Sequence, residues 1–165
     1  MVEIETQLPE VYLQPGESYL AREPTIIRTI LGSCIGVAFW SARLRIGALC
    51  HGQLPRIPKK STAGPTLADG RRYVDFAVRD LARQFKELGV SRAETQIKLF
   101  GGGDVLVVSE KGALKPTVGK LNCESALEVL LDEGFEVTAS SLGGHRGLNI
   151  RFNTGNGEVL LRRLS

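Results

Sequence analysis

Histidine, tryptophan and methionine are scarce in this chain. Of 165 residues, two are His, one is Trp and one is Met, and aromatic residues make up only 6%. Any imidazole chemistry is therefore confined to His51 and His145. The three cysteines form no complete disulfide framework, and their odd number fits a reducing compartment. Cys34, Cys50 and Cys123 include no C-x-x-C pair, and the adjacent Cys50 and His51 are poorly placed to share a metal on a strand, so no metal site is expected. A net charge of +3, with the basic residues dispersed, is too little for a nucleic-acid footprint. No apolar run reaches the length of about eighteen residues that spans a bilayer. The first segment, with Glu3, Glu5 and Gln7, lacks the basic and apolar regions of a secretion signal. A cytoplasmic protein without membrane insertion is the expectation.

What is present is enough for a core. The hydrophobic content is 42%, and the length suits one domain over residues 1–165. VYL and SYLA flank a turn at Pro15 and Gly16 and read as two short strands. IIRTIL, IGVAFWS and IGALCHGQL, separated by glycine or polar breaks, read as three more. Residues 56–70, rich in proline, glycine and basic side chains, read as a long loop. Val74, Ala77, Val78, Leu81, Ala82, Phe85 and Leu88 recur at helical spacing, and Gly89 supplies the stop. IKLF is a strand that runs into Gly101, Gly102 and Gly103. A second helix follows, with Asn122 as its expected N-cap and Ala126, Leu127, Leu130 and Leu131 facing inward. EVTASS, LNIRFNT and EVLLRRL complete the strands, with a hairpin signal at Gly155-Asn156-Gly157. Many strands and two main helices imply a layered α/β or α+β fold.

One apolar stretch is interrupted where a buried strand needs no interruption: LGSC at Leu31 to Cys34. If IGVAFWS and IGALCH are antiparallel neighbours, Cys34 and His51 return to the same end of a sheet. Alternation then turns Cys50 to the opposite face, leaving Cys34 as the thiol within reach of the imidazole. Gly32 and Ser33 allow a sharp turn that exposes the sulfur and aims main-chain N–H groups at a developing oxyanion. Gly36 would leave room for a substrate backbone. Thr29 has a hydroxyl able to fix the imidazole tautomer, the third role in a nucleophile, base and orienter set. An odd spacing puts Thr29 and Cys34 on opposite faces of a regular strand, so that role requires the Gly32 break to reset the alternation. Taken singly, a cysteine among apolar strands reads as packing and a histidine at a strand end as a polar terminus. Phe100 before the glycine run reads either as a contact for a helical partner or as a core residue, and the run lacks the spacing of a phosphate loop.

These residues resemble the CheD family of chemoreceptor glutamine deamidases. The likeness continues through RYVDFAV at Arg72 to Val78, KLFGGGDV at Lys98 to Val105, VGKLN at Val118 to Asn122, and LGGHRGLNIRFNTGNGEV at Leu142 to Val159. The chain departs from the family pattern at Gly103-Asp104, at Leu121 and at Leu148. The resemblance implies a single-domain α/β/β sandwich with mostly antiparallel strands. It also implies catalytic Cys34 and His51, with Thr29 as the natural third residue. The implied reaction is hydrolysis of receptor glutamine side chains to glutamate through a cysteine thioester, without cofactor. The implied partners are the cytoplasmic helices of chemoreceptors, and a CheC-type phosphatase that the chain would bind and stimulate if it acted mainly as an adaptor. A different thiol hydrolase, such as a protease or methylesterase, is a third reading of the same cysteine.

Overall fold

In the computed structural model the residues described are 7–59, 66–104 and 116–165. Among the described residues nine strands and three helices follow in chain order. They are β1 (Glu10–Tyr12), β2 (Ser18–Ala21), β3 (Ile26–Leu31), β4 (Ile35–Ser41), β5 (Ile46–Gly52), α1 (Leu67–Gly70), α2 (Val74–Glu87), β6 (Thr95–Gly101), α3 (Val118–Asp132), β7 (Val137–Leu142), β8 (Leu148–Asn153) and β9 (Val159–Arg163). The strands make two sheets, one ordered β1-β3-β8-β9 and the other β2-β5-β4-β6-β7. Among the described strands β1 pairs with β3 and β6 with β7 in parallel, and the other neighbours are antiparallel. With α2 and α3 against the five-stranded sheet, the architecture is the expected α/β/β sandwich.

Two apolar layers follow from the alternation of β4 and β5. Ile35, Val37 and Phe39 of β4, with Ile46, Ala48 and Cys50 of β5, face α2 and α3. Their alternates Ala38 and Leu49 face the other sheet, where they meet Ile27, Leu31, Ile150 and Phe152. A strand covered on both faces reads as a continuous apolar run, as IGVAFWS and IGALCHG do. In α2 the expected inward set from Val74 to Phe85 is buried, and Gly89 follows the helix at φ +78°.

Several expectations need correction. The segment over 56–70 contains a helical turn, α1, whose N-cap Thr66 accepts a bond from the Asp69 N–H; residues 60–65 of the expected loop lie outside the described residues. Asn122 is not an N-cap: α3 starts four residues earlier, capped by Thr117, whose hydroxyl accepts from the Lys120 N–H. Leu127 and Leu131 are 45% and 76% exposed. The buried face of α3 runs instead through Gly119, Asn122, Ser125, Ala126, Val129 and Leu130, because its first turns pack on main chain rather than on apolar side chains. Phe100 is 4% exposed and belongs to the layer between the sheets, so its ring offers no surface to a partner.

Candidate active site

The chain changes sheets between β3 and β4, and the change takes place over Gly32, Ser33 and Cys34. Thr29 on β3 therefore belongs to the four-stranded sheet, and the strand that Cys34 leads into belongs to the five-stranded one. The opposite-face objection to Thr29 dissolves, because side-chain alternation relates residues within one strand and these two occupy facing sheets. No reset at Gly32 is required.

Thr29 and His51 meet across the layer. The Thr29 Oγ1 lies 2.7 Å from His51 Nδ1 and donates its own hydrogen to the Leu13 carbonyl at 2.9 Å. A carbonyl only accepts, so the single hydroxyl hydrogen is committed to Leu13 and the imidazole must donate to Oγ1. Nδ1 therefore carries the proton and Nε2 carries the lone pair. His51 Nε2 is buried and has no partner among the described residues. The histidine main chain is tied down as well, since its carbonyl accepts from the Gly16 N–H and its N–H donates to the Glu17 carbonyl. Burial pulls the imidazole down to about 4, with the Glu17 carboxylate pulling the other way.

Cys34 approaches from the neighbouring strand. His51 stands opposite Gly36 in the antiparallel ladder, so Cys34 precedes by two positions the residue that faces the ring. Diagonal neighbours of this kind are separated by about 7–8 Å at the main chain, within reach of longer side chains. The thiol packs at the margin of the same layer as Leu31 and Leu49 and is only partly buried. Among the described residues it makes no hydrogen bond with His51. Burial raises its pKa above the ordinary value, opposed by its own main-chain N–H. Cys50 points to the helices, is fully buried and is pushed up to about 12. The expectation that Cys50 is the packed thiol is met.

The bend that carries Cys34 is held by its carbonyls. Gly32 O accepts from the Gly103 N–H at 2.9 Å, Ser33 O from Asn122 Nδ2 at 2.9 Å, and Cys34 O from the Gly102 N–H at 2.8 Å. Among the described residues no main-chain carbonyl takes the N–H of Ser33 or Cys34. Gly101 sits at φ +100°, and a Cβ there would collide with the Cys34 carbonyl, so the glycine run is the backing of the bend. Gly36 is buried, and a Cβ on it would come within 2.9 Å of Leu31 Cδ1. It makes room for packing between the sheets rather than for a substrate.

His145 is exposed on a loop beside a pocket of about 360 Å³ that Ser141, Arg146, Leu148 and Arg163 also line. That loop joins the glycine run through the bond from the Asp104 N–H to Gly144 O. Neither Cys34 nor His51 lines the pocket. Sequence reasoning missed the Leu13 carbonyl, which settles the tautomer, and Asn122, which reaches Ser33. The first acts through main chain and leaves no side-chain signal. The second had one, in the polar or small residues Gly119, Asn122 and Ser125 spaced three apart on a helix.

A buried imidazole of fixed tautomer and a partly exposed thiol on a main-chain bend, at the same end of the β4–β5 ladder, are the kinds of group that a nucleophile-and-base hydrolase uses. Comparison with known proteins narrows the class. Residues 54–163 match the family described as CheD chemotactic sensory transduction. A protein of Geobacter sulfurreducens named "Probable chemoreceptor glutamine deamidase CheD 2" is 41% identical over 96% of this chain and 92% of its own. A "Probable chemoreceptor glutamine deamidase CheD" of Maridesulfovibrio salexigens is 36% identical over 99% of this chain and 97% of its own. One of the same name in Pseudomonas savastanoi pv. phaseolicola is 37% identical over 93% and 84%. The chain belongs to the CheD family. No helix among the described residues is long and apolar enough to cross a membrane.

Proposed function

We propose that this protein hydrolyses glutamine side chains of chemoreceptors to glutamate, at the cytoplasmic helices of those receptors, with Cys34 as nucleophile, His51 as general base and acid, and Thr29 as orienter. The relatives' names supply the reaction and substrate. The observation that carries the assignment of residues is the Thr29 bridge between His51 Nδ1 and the Leu13 carbonyl, which keeps Nε2 free to take a proton.

The reaction requires the Cys34 thiol to come within hydrogen-bond reach of Nε2, a tightening of the kind that accompanies substrate binding. Nε2 takes the thiol proton as sulfur attacks the carboxamide carbon, and the carbonyl oxygen becomes an oxyanion. The N–H groups of Ser33 and Cys34, in the bend that begins at Gly32, are the donors available to it. His51 then returns the proton to the departing nitrogen, which leaves as ammonia, since an amide anion is too poor a leaving group to go unprotonated. Water attacks the thioester while giving its proton to Nε2, and collapse restores the thiol and releases the glutamate side chain.

The test is incubation of the purified protein with cytoplasmic receptor fragments, followed by mass spectrometry of their peptides. Deamidation adds about one dalton per site by replacing an amide nitrogen with an acid oxygen. The gain is expected with the wild type and absent with Cys34→Ala or His51→Ala. Binding without a mass change would favour an adaptor for a CheC-type phosphatase, and chain cleavage would favour a protease; either result overturns the proposal.

A further inference from the structure

Asn122 is an uncommon choice for the buried face of a helix. Its side chain is fully buried in α3, yet it makes no apolar contribution there. Its Nδ2 donates to the Ser33 carbonyl at 2.9 Å and to the Gln53 carbonyl at 3.1 Å. Both partners only accept, so the amide orientation is fixed: the nitrogen must face them. Oδ1 is buried without a partner among the described residues, a cost that an apolar side chain would not incur.

The two carbonyls belong to the two halves of the site. Ser33 immediately precedes the nucleophile, and Gln53 follows His51 by two residues at the end of β5. Between them β4 and β5 pair only as far as Ile35 with Gly52. Beyond that pair the ladder gives no hydrogen bonds to hold Cys34 against the histidine strand, and the Asn122 amide spans the opening. Gln53 is fixed from its other side by its N–H to the Arg72 carbonyl at 2.8 Å. One turn further along the same helix, Ser125 Oγ donates to the Pro55 carbonyl at 2.6 Å, a bond of the same kind that does not touch the bend. We infer that Asn122 is a positioning residue for the reaction, setting the separation of Cys34 and His51 by bridging the Ser33 and Gln53 carbonyls. The inference takes its reacting pair from the function proposed above.

The experiment compares Asn122→Ala, Asn122→Asp and Ser125→Ala with the wild type and with His51→Ala. Each is followed by thermal melting, by the pH dependence of iodoacetamide alkylation at Cys34, and by deamidation of receptor fragments. The alkylation readout needs no substrate, so it stands even if the deamidase reading fails. Asn122→Ala is expected to shift the alkylation profile to that of His51→Ala and to lower kcat by roughly ten- to a hundredfold, the scale of misplacement by about an ångström, with KM little changed. Ser125→Ala is expected to melt earlier and to keep the wild-type profile. Asn122→Asp keeps the shape of the side chain and, when ionised, has no proton to donate. Its profile should follow Asn122→Ala at neutral pH, which keeps the test open if Asn122→Ala does not fold. A wild-type alkylation profile in a folded Asn122 variant, or the same shift in Ser125→Ala, overturns the inference.

Discussion

Replacing Thr29 with valine tests the site at its most constrained point. Valine keeps the shape and removes the hydroxyl, so the His51 Nδ1–H loses its acceptor and the Leu13 carbonyl loses its donor. Both groups are buried, and an unpartnered buried polar group costs about 1–3 kcal/mol. The fold should lose about 2–6 kcal/mol on that basis. The effect on turnover has a separate origin. The hydrogen bond that favours the Nδ1–H tautomer is worth about 1–2 kcal/mol, which biases the tautomer ratio by roughly five- to thirtyfold. Without it, part of the population has its proton on Nε2 and cannot accept one from the thiol, and the ring is free to turn. A fall in kcat of roughly ten- to a hundredfold follows, with KM little changed because Thr29 is buried behind the imidazole. Thr29→Ser retains both bonds and gives up one methyl group, about 0.8 kcal/mol of stability. It should turn over nearly as the wild type does. Deamidation rates by mass spectrometry give the kinetic answer, and imidazole nitrogen chemical shifts report the tautomer directly. Thr29→Val turning over at the wild-type rate, or Thr29→Ser as impaired as Thr29→Val, would refute the orienting role.

Acid should weaken the fold through His51. Its imidazole is near 4 in the folded protein and near 6.5 when unfolded. Between those values the unfolded chain binds the proton and the folded one does not, so stability rises with pH across that window. The contribution is present in full above about 6.5 and lost by about 4, and it amounts to about 3 kcal/mol. Urea midpoints at neutral pH and at pH near 4.5 should diverge for the wild type and converge in His51→Gln; equal slopes in the two proteins would remove His51 as the cause. Thiol labelling provides the other check. Cys34 and Cys123 are partly exposed with thiols raised by burial, whereas Cys50 is fully buried and pushed up to about 12. A disulfide reagent should label two thiols slowly in the native protein, faster as pH rises, and the third only after denaturation. Rapid native labelling of Cys50 would contradict the fold.

The legible parts of this molecule are those in which residue type and strand period carry the information. Alternation in IGALCHG separates Cys50 from His51, and that separation holds in the structure because β5 is regular from end to end. The same rule fails at Thr29. It does not hold across Gly32–Cys34, where the chain leaves one sheet for the other and a period of two no longer relates the residues. In α3 the leucines at 127 and 131 suggested an inward stripe, but the helix is oriented by what lies under its first turns. There Gly119, Asn122 and Ser125 rest on the main chain of Gly102, Gly103, Ser33, Gln53 and Pro55. Main-chain partners have no residue type to read, and the Leu13 carbonyl is hidden for the same reason.

Burial acts on the two groups proposed to react in opposite directions, and this shapes how the proposed site would work. It raises the Cys34 thiol and lowers the His51 imidazole, so a resting thiolate–imidazolium pair is disfavoured at both ends. Thr29 does little to change that, since a neutral hydroxyl committed to Leu13 orients the ring without supplying charge; the Glu17 carboxylate is what favours the protonated form. In the proposed reaction the proton therefore leaves sulfur as attack proceeds, when negative charge passes from sulfur to the oxyanion and can be met by the N–H groups of the bend. A nucleophile of this kind keeps its proton until it meets an electrophile. Its activation depends on bringing three things to one point: the sulfur, a lone pair on Nε2, and the donors that follow Gly32. Each is set by main chain rather than by a charged neighbour, which is why glycines and a buried asparagine surround a site whose chemistry needs neither.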